Sequence, residues 1–449
     1  MRRRSLSRTP RGTPGSSKGR GNSAISTSRG KRAIVIGGSL GGLFAGCFLH
    51  RAGWQVSIFE RSRENLASRG AGLGITKELA EALGRAQARL EPSLAVAINS
   101  SVWLDGEGRV VWEHRRSSTA SAWSRIYLPL RAAVSPDIYH PATSLLRVEQ
   151  TAGGVVAVFA DGSRATADLL IAADGNQSTV RRQYMPEVQP CYAGYVAWRG
   201  TMEEGDIPAI LQRQFFDKLT FSFPPGEMAL AMPVPGAGDD MRPGHRRYYF
   251  IWYRPTPWER VKELCTATNG EYYGMSIPPP LIRPEFVAEV KQNARALFAP
   301  ALATVIERTA QPFLQPITDM VAPRLVMGRV ALVGDAGSVA RPHVAAGATK
   351  AALDAACLVD ALSSRDDIDA ALADYERGQH EFGEKMVAHG RYLGAYLEGQ
   401  LKPPAMRGAG QRERDPIRLI SDYGAPHLVH NLEMKQLEQM ARQSGLGVA

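Results

Sequence analysis

The segment AIVIGGSLGGLFAGCFLHRAGWQVSIFER, residues 33–61, constrains the fold of this chain more than any other stretch. A β-branched run stops at Gly37, and apolar residues then recur at helical spacing over residues 40–51. Strand spacing returns afterwards and ends on Glu60, 23 residues after Gly37. A strand, a glycine-rich turn, a helix and a second strand that ends on an acid are typical of a βαβ unit that binds a dinucleotide.

The small residues of the turn and the acid after the second strand have separate physical roles. Gly37 permits the tight turn, and Gly42 lets the helix pack against the first strand. The start of the helix presents partial positive charge to a pyrophosphate, and Glu60 is placed to bind the two hydroxyls of an adenosine ribose. These roles leave NAD and FAD as open alternatives. The residues predicted to bind the dinucleotide in this unit are Gly37, Gly38, Ser39, Leu40, Gly42, Glu60 and Arg61.

The formal net charge of +10 comes from one end of the chain. Residues 1–32 hold ten basic side chains and no acidic one, whereas the remaining 417 residues carry 44 basic and 44 acidic groups. This balance leaves no electrostatic footprint for nucleic acid outside the tail. Residues 1–31 are rich in Ser, Gly, Arg and Pro and are predicted to be disordered. No apolar run of about 18 residues occurs, so no membrane association is expected.

The four cysteines lie far apart in the sequence and form no C-x-x-C pair. Such spacing predicts neither a redox role nor a metal site. We therefore interpret them as reduced residues in the core of a cytoplasmic protein, where a buried, inert thiol is the usual state. They are Cys47, Cys191, Cys265 and Cys357.

Two further strand-to-turn junctions share small residues and a carboxylate with the first. The apolar run 169–172 leads to an Asp-Gly turn, and the apolar run 330–333 leads to a Gly-Asp turn. Ligands of open α/β sheets lie at the carboxyl ends of the strands, so the three junctions are expected to converge on one cofactor. Gly72, within RGAGLGI at residues 69–75, either lies close to a flat ligand or only makes a turn. The cofactor-binding residues predicted here are Gly72, Asp174, Gly175, Arg181, Gly334, Asp335, Gly347 and Ala348.

Residues 192–254 are predicted to form a separate antiparallel sheet of long, aromatic-rich strands. One interpretation is that this sheet presents its aromatic side chains to a flat ligand. The alternative is that they only fill the core between the sheet and the helices. Two hairpins are predicted as well, over residues 102–112 and 155–172. The candidate substrate-binding residues are Tyr195, Trp198, Phe221 and Trp252.

Three motifs resemble the fingerprints of a known family. GGSLGG with FER, AADGNQSTVR and ALVGDAGSVARPHVAAGATKAALDA are similar to those of single-component flavoprotein aromatic hydroxylases of the para-hydroxybenzoate hydroxylase fold. The resemblance implies that the first motif binds the ADP part of FAD. It also implies that Asp174, Gly175 and Arg181 serve both FAD and a transient nicotinamide cofactor, and that Asp335 binds the ribityl chain and pyrophosphate. It favours FAD over NAD as the resident cofactor.

A closer resemblance links YAGYVAWRG, FDKLTF and RPHVAAGATKA to the 2,6-dihydroxypyridine 3-hydroxylase group. The chemistry implied by the family is that NAD(P)H reduces FAD and that O2 then adds at flavin C4a to give a hydroperoxide. This hydroperoxide hydroxylates an electron-rich ring carbon next to a hydroxyl group. The chain departs from the wider family at Tyr127, Ser338 and Thr349, where Arg, His and Asn are usual.

The loop between Asp335 and Gly347 contains the candidate catalytic residues Arg341, Pro342 and His343. A neutral phenol is a poor nucleophile, so a base that takes its proton speeds the attack. His343 is the candidate for this role because an imidazole is expected to titrate near neutrality. The alternative is that His343 only orders the loop. Arg341 equally suits a salt bridge at the surface, while Pro342 is expected to shape the backbone around the flavin.

The combined prediction is an α/β chain with a discontinuous FAD-binding βαβ (Rossmann-like) domain, an inserted antiparallel-sheet substrate domain and C-terminal helices. The expected partners are a small aromatic substrate and O2, and a homodimer is one option for its assembly. The alternatives are a same-fold flavoprotein oxidoreductase that acts on another phenolic or quinolone substrate, and a flavin-binding interaction protein without enzymatic activity. The predicted segments are a tail (1–31), the FAD-binding domain (32–100, 141–187 and 311–365), a substrate-side hairpin and helix (101–140), the substrate domain (188–310) and the C-terminal helices (366–449).

Overall fold

A computed structural model describes residues 30–66, 72–209, 211–212, 217–237, 240–401 and 415–443. The predicted basic tail lies outside the described residues up to residue 29, as do residues 69–71 of the segment RGAGLGI. All structural statements below concern the described part of the chain.

The elements are numbered in chain order. The strands are β1 Arg32–Ile36, β2 Gln55–Phe59, β3 Gly72–Gly74, β4 Val96–Leu104, β5 Val110–Ala122, β6 Tyr139–His140, β7 Leu145–Thr151, β8 Gly154–Phe159, β9 Arg164–Ala167, β10 Leu169–Ala172, β11 Cys191–Glu203, β12 Lys218–Ser222, β13 Met228–Val234, β14 Arg247–Pro255, β15 Phe313–Val321, β16 Val326–Met327, β17 Val330–Leu332 and β18 Ser338–Val339. The helices are α1 Leu40–Arg51, α2 Lys77–Arg85, α3 Trp123–Ala132, α4 Thr179–Tyr184, α5 Trp258–Leu264, α6 Pro284–Leu297, α7 Pro300–Arg308, α8 Gly347–Ser364, α9 Ile368–Leu401, α10 Pro416–Asp422 and α11 Met434–Gln443.

A six-stranded sheet in the order β16-β17-β10-β1-β2-β6 contains all three predicted junctions. Strand β1 pairs in parallel with β2 and β10, and β10 pairs in parallel with β17. Strands β1, β10 and β17 are buried almost throughout, which matches their continuous apolar sequences. Helices α1 and α8 pack against each other beside this sheet. The predicted α/β fold with a parallel βαβ unit is therefore confirmed.

A nine-stranded sheet in the order β18-β15-β11-β14-β13-β12-β4-β5-β3 forms the second layer. It contains the predicted aromatic-rich strands, but it also takes up β3, β4, β5, β15 and β18 from other parts of the chain. Strand β12 pairs in parallel with β4, so the sheet is mixed rather than purely antiparallel. The predicted domain boundaries stay predictions.

The two predicted hairpins have different outcomes. Strands β4 and β5 form the first hairpin, which is confirmed and is longer than predicted. The hairpin predicted over residues 155–172 is confirmed for β8 and β9, but its continuation through residue 172 is wrong, because the second half divides into two strands at Asp168. Strand β9 pairs with β8 in a small three-stranded sheet, whereas β10 joins the parallel sheet. The Asp168 carboxylate accepts a 2.7 Å hydrogen bond from the Arg32 backbone N–H. This bond connects the residue between β9 and β10 to the start of β1.

The two faces of the nine-stranded sheet pack against different parts of the protein. Trp198 and Trp252 are register partners on β11 and β14, and both are buried against the layer formed by α5, α6 and α7. The Trp252 ring makes an edge contact with Phe298 at a centroid distance of 4.9 Å. The prediction that these two tryptophans face a flat ligand is wrong, because side chains alternate between faces along a strand and these two point to the helix layer.

The described residues contain neither a membrane-spanning helix nor a cluster of metal ligands. No helix there combines the length and apolar character needed to cross a membrane. Those residues also contain no group of three or more His, Cys, Asp or Glu side chains arranged to hold a metal ion. The cysteines are free thiols, and burial raises the pKa of Cys47 to about 12. Cys191 is exposed, so its predicted place in the core is wrong.

Replacing Trp198 by Ala should lower the free energy of unfolding by about 3–5 kcal/mol, because it leaves a cavity in place of a buried ring. Denaturant unfolding followed by circular dichroism measures this loss. Replacing Trp258, which is 37% exposed, by Ala is the matched control. An unchanged unfolding midpoint for Trp198→Ala, together with weaker binding of aromatic ligands, would place this ring in a ligand site after all.

Candidate active site

The three junctions lie side by side because their strands are neighbours. Backbone hydrogen bonds continue the parallel pairing into the turns: the Gly37 N–H donates to the Phe59 carbonyl at 2.8 Å, and the Ala173 N–H donates to the Ile36 carbonyl at 2.8 Å. The Val333 N–H donates to the Ala172 carbonyl at 2.9 Å. All three turns therefore meet at the carboxyl edge of one sheet, as the sequence predicts.

The first turn has room only for glycine at two positions. Gly37 has a φ of +106°, and a Cβ there would lie 2.3 Å from the Ala173 carbonyl oxygen. A Cβ on Gly42 would lie 1.8 Å from the Gly37 carbonyl oxygen. Glu60 supports the same turn, because its carboxylate accepts hydrogen bonds from the Gly38 N–H at 2.7 Å and from the Ser62 N–H at 2.8 Å. The turn is thus a preformed backbone cradle.

Two adjoining cavities lie against the three turns, and they share Ser39, Gly175 and Asn176 in their walls. The outer cavity has a volume of about 910 Å³, and the inner cavity has a volume of about 580 Å³. The predicted cofactor residues in the wall of the outer cavity are Gly37, Ser39, Glu60, Arg61, Asp174 and Gly175. Those in the wall of the inner cavity are Ser39, Leu40, Gly72, Gly175, Gly334, Asp335, Gly347 and Ala348. Gly38, Gly42 and Arg181 line neither cavity.

Arg181 is a positioning residue rather than a wall residue of either cavity. Its guanidinium is buried and donates to the carbonyl oxygens of Asn176 at 2.5 Å and of Ala336 at 3.0 Å. These two carbonyls belong to the second and third turns, so Arg181 joins the two turns through their backbones. The expectation of direct cofactor contact is corrected for this reason. Burial lowers the pKa of Arg181.

Helix α4, which follows the second turn, supplies some of the hydrogen bonds that the side chains of this turn need. The Asp174 carboxylate accepts from the Thr179 N–H at 2.7 Å and from the Val180 N–H at 3.2 Å, and burial raises its pKa. Asn176 donates to the Thr318 hydroxyl at 3.2 Å. The side-chain amide oxygen of Asn176, Oδ1, is buried without a hydrogen-bond partner in the described part of the chain, although Asn176 belongs to the wall shared by both cavities. This acceptor is suited to a donor group of a ligand.

A buried ion pair holds the third turn in place. Lys350 and Asp354 pair at 2.7 Å within α8, and the Asp354 carboxylate accepts the Gly334 N–H at 2.8 Å. The Lys350 ammonium also donates to the Gly334 carbonyl at 3.1 Å. Asp335 is next in sequence and lines the inner cavity. Asp335 is exposed to this cavity, but the surrounding protein desolvates its carboxyl and, together with Asp354, raises its pKa, while Lys350 and Arg181 act in the opposite direction.

His343 lies behind the wall of the inner cavity. It is fully buried, lines neither cavity, and its Nε2 atom is 2.9 Å from the Tyr195 hydroxyl. Burial lowers its pKa to about 3, and the positive charges of Arg341 and Arg199 act in the same direction. The expectation that this imidazole titrates near neutrality is therefore wrong. A proton acceptor with so low a pKa is poorly matched to a ring hydroxyl.

Some neighbours of His343 line the inner cavity, whereas others hold the loop in place from behind it. Arg341 forms a buried ion pair with Asp319, with Nε 2.7 Å from Oδ2, and Arg391 pairs with the other oxygen of that carboxylate at 2.6 Å. Arg341 is thus a buried support for the loop, and its predicted place among the catalytic residues is corrected. Pro342 does line the inner cavity. Ala345, which also lines it, has a φ of +49°, an uncommon conformation for a residue with a side chain.

Tyr195 and Phe221 occupy the cavity side of the nine-stranded sheet but do not reach the cavity surface. Both are fully buried in a cluster whose other members include Leu219, Leu230 and Ile251, and these three aliphatic side chains do line the inner cavity. The alternative that the aromatic residues fill the core is therefore the one that the structure supports.

Sequence reasoning missed several polar or aromatic residues of the inner cavity wall, among them Arg116, Arg199 and Tyr423. The sequence did contain a signal for Arg199. Tyr195, Ala197 and Arg199 lie on the same face of β11, and a charged residue on the apolar face of a buried strand indicates a functional or structural role. Arg116 and Tyr423 offered no comparable signal. Tyr423 reaches the cavity from the C-terminal part of the chain.

Comparison with known proteins defines the class. A family model described as FAD binding domain matches residues 31–252, and one described as FAD binding domain-like matches residues 192–319. The chain belongs to the FAD-binding monooxygenase family with the para-hydroxybenzoate hydroxylase fold, and it is an FAD-dependent enzyme of that family. It is 30% identical to the 2,6-dihydroxypyridine 3-monooxygenase of Paenarthrobacter nicotinovorans, over 83% of this chain and 93% of that protein.

Solved structures agree with this assignment. The structure of 2,6-dihydroxypyridine-3-hydroxylase from Arthrobacter nicotinovorans matches with a TM-score of 0.78 and 29% identity, over 83% of this chain and 93% of that one. Klebsiella pneumoniae HpxO, complexed with FAD and uric acid, matches with a TM-score of 0.70 and 23% identity, over 94% and 100% of the two chains. The second match shows the shared fold.

Replacing His343 by Gln should weaken the pH dependence of stability. The imidazole takes up a proton near pH 6.5 in the unfolded chain but only near pH 3 in the folded protein. Between these values the unfolded state binds more protons, so this group makes the folded protein less stable as the pH falls. Its removal should reduce the slope of the unfolding free energy by about 1.4 kcal/mol per pH unit, measured by denaturant unfolding between about pH 4 and pH 6.

The control for this experiment is His114→Gln, which removes an exposed imidazole from β5. If the unfolding free energy had the same slope against pH in the wild type and in His343→Gln, this would contradict the conclusion that the buried ring stays neutral.

Proposed function

We propose that this protein is an NAD(P)H- and FAD-dependent monooxygenase that hydroxylates an electron-rich, hydroxylated heteroaromatic ring, with 2,6-dihydroxypyridine as the best candidate substrate. The observation that carries the proposal is the inner cavity, which adjoins the turn-lined outer cavity and whose wall includes aliphatic side chains of the nine-stranded sheet and two guanidinium groups. The similarity to the 2,6-dihydroxypyridine 3-monooxygenase of Paenarthrobacter nicotinovorans supports the choice of this ring as the substrate.

The residues present fit FAD. The backbone cradle at Gly37, the carboxylate of Glu60 and the side chain of Arg61 line the outer cavity and suit its ADP part. The Asp335 carboxylate and the start of α8 at Gly347 line the inner cavity and suit the ribityl and ring parts. When bound, FAD accepts reducing equivalents from NAD(P)H and activates O2 for transfer of one oxygen atom.

The protein's own contribution is to bind the ring, orient it and keep the site dry. Leu219, Leu230 and Ile251 form an apolar wall on the nine-stranded sheet, against which a planar ring can pack. Pro342 and Ala345 belong to the facing loop. Exclusion of water from this space protects the reactive cofactor and strengthens electrostatic interactions with the ring.

The family assignment favours an enzymatic role over the alternative of a flavin-binding interaction protein. A same-fold oxidoreductase that acts on another phenolic or quinolone ring stays the second candidate. It is favoured by the structure of HpxO with uric acid, because that protein shares the fold and holds a different heteroaromatic ring. The two candidates differ only in the ring that the inner cavity accepts.

A panel of ring compounds tests the proposal with FAD-loaded protein. We expect 2,6-dihydroxypyridine to stimulate oxidation of NADH or NADPH and to yield a product that carries one more oxygen atom, measured by absorbance and by mass spectrometry with isotopically labelled O2. Urate, simple phenols, quinolones and a hydroxypyridine carboxylate are the competing substrates. Stimulation by none of these compounds would refute the function, and stimulation by another ring alone would favour the second candidate.

Replacing Asp335 by Ala should weaken FAD binding by about 10-fold to 100-fold, because charge-assisted hydrogen bonds contribute about 1.5–3 kcal/mol each. The flavin absorbance that remains with the protein after desalting measures the loss. The matched control is Asp360→Ala, which removes an exposed carboxylate of α8 that pairs with Arg85. Full FAD occupancy in Asp335→Ala would contradict the assigned cofactor contact.

A further inference from the structure

Arg199 carries a buried positive charge in the wall of the inner cavity. It lies on β11, is only 8% exposed, and donates a hydrogen bond from Nη1 to the Tyr249 hydroxyl at 3.3 Å. Its Nε and Nη2 atoms are buried without a hydrogen-bond partner among the described residues. Guanidinium donors left unmet inside a protein are costly, because the group has lost its hydration without replacement.

The side chains around Arg199 do not neutralise it. Tyr249, Tyr253, Tyr423 and His343 interact electrostatically with it, and none of them is a carboxylic acid. Burial raises the pKa of Tyr253 to about 12 and also raises those of Tyr249 and Tyr423, so all three phenols are neutral near pH 7. In the described part of the chain, Arg199 forms no ion pair with an acidic side chain.

Arg116 adds a second positive charge to the same cavity. It lies on β5, lines the inner cavity, and has Nη2 3.7 Å from the position that a Cβ on Gly424 would occupy. Like Arg199, it interacts electrostatically with Tyr423 and forms no ion pair among the described residues. Asp335 is the one carboxylate among the described wall residues, and it belongs to the third turn of the other sheet. The substrate side of the cavity therefore has an excess of positive charge.

Aliphatic side chains form another part of the same wall and define the rest of the ligand. Leu219, Leu230 and Ile251 on the sheet, together with Val429 from the C-terminal part, line the same space. A ligand that satisfies this site has a planar apolar body and an anionic oxygen at one edge. Two adjacent donors of a guanidinium match two oxygens, or two lone pairs of one oxygen, on such an edge.

We propose that Arg199 binds an anionic oxygen of the aromatic substrate and that Arg116 reinforces the preference for an anion. This inference rests on the proposed function and narrows its substrate class to rings that bind as anions, through either an ionised ring hydroxyl or a carboxylate. An ionised hydroxyl leaves its proton in the solvent before binding, so no base in the cavity is required. The oxyanion then donates electron density to the ring and makes the carbon to be hydroxylated more nucleophilic, which is the task first assigned to His343.

The test measures ring binding to oxidised, FAD-loaded protein by the change in flavin absorbance. The ligands are 2,6-dihydroxypyridine, which ionises at a ring hydroxyl, 6-hydroxypyridine-3-carboxylate, which carries a carboxylate, and neutral 2,6-dimethoxypyridine. Arg199→Gln should weaken binding of the anionic ligand by about 10-fold to 100-fold, in line with a lost charge-assisted contact, and leave the neutral ring unaffected. Whichever anionic ligand suffers the loss identifies the charged group that Arg199 holds.

Two further variants keep the test decisive. Arg199→Lys retains the charge but not the paired donors, so its affinity for the anion should lie between those of the wild type and Arg199→Gln. Arg247→Gln is the control, because Arg247 lies on β14 of the same sheet and pairs with Glu203 near the surface. FAD content and circular dichroism confirm that each variant is folded. In the wild type, binding of dihydroxypyridine should strengthen as the pH rises through the ionisation of its hydroxyl, and Arg199→Gln should flatten that profile.

The outcomes separate this inference from the proposed function. Equal affinity of the wild type and Arg199→Gln for the anionic rings, or equal losses for anionic and neutral rings, would overturn the role of Arg199 alone. If the wild-type protein binds none of the rings, the proposed function fails and the inference fails with it.

Discussion

Strands β1, β10 and β17 pair in parallel, so their carboxyl ends form one edge of the sheet. Three turns that are more than a hundred residues apart in sequence are brought together there by this pairing. Arg181 then joins the second and third turns through their backbones, and the Lys350–Asp354 pair fixes the third turn to α8. The cofactor site depends on this edge, because the outer and inner cavities both take their walls from it.

Features that depend on local conformation could be predicted from the sequence. The turn at Gly37 needs a positive φ and space beside a carbonyl, and both requirements are visible as glycine at fixed positions. The buried runs before Asp174 and Asp335 likewise read as strands that end at a ligand edge. What could not be predicted depends on distant packing. The neutral state of His343 is a result of its burial beside Arg341 and Arg199, which no local pattern encodes.

The charge of the folded part shows the limit of composition as evidence. Beyond residue 32 the chain has equal numbers of basic and acidic residues, which suggests no preference for an anion. The inner cavity nevertheless contains two guanidiniums without acidic partners among the described residues. Acidic side chains of the described residues pair with basic groups elsewhere, in surface ion pairs such as Arg329–Asp369 or in supports such as Asp319. The balance of positive and negative groups in the cavity wall, rather than the net charge of the chain, decides which ligands such a cavity attracts.

The wall of the inner cavity includes Ser39 near one end of the chain and Asn431 near the other. A ribosome delivers these two residues far apart in time, and the cavity has no closed wall until the later one has emerged. Among the described residues, the outer cavity has no wall residue beyond Thr318, so it can form earlier in synthesis than the inner cavity. Every strand of the parallel sheet has been made by Leu332, so the part completed last is the wall of the inner cavity, and flavin that binds the finished site stabilises the folded chain by mass action.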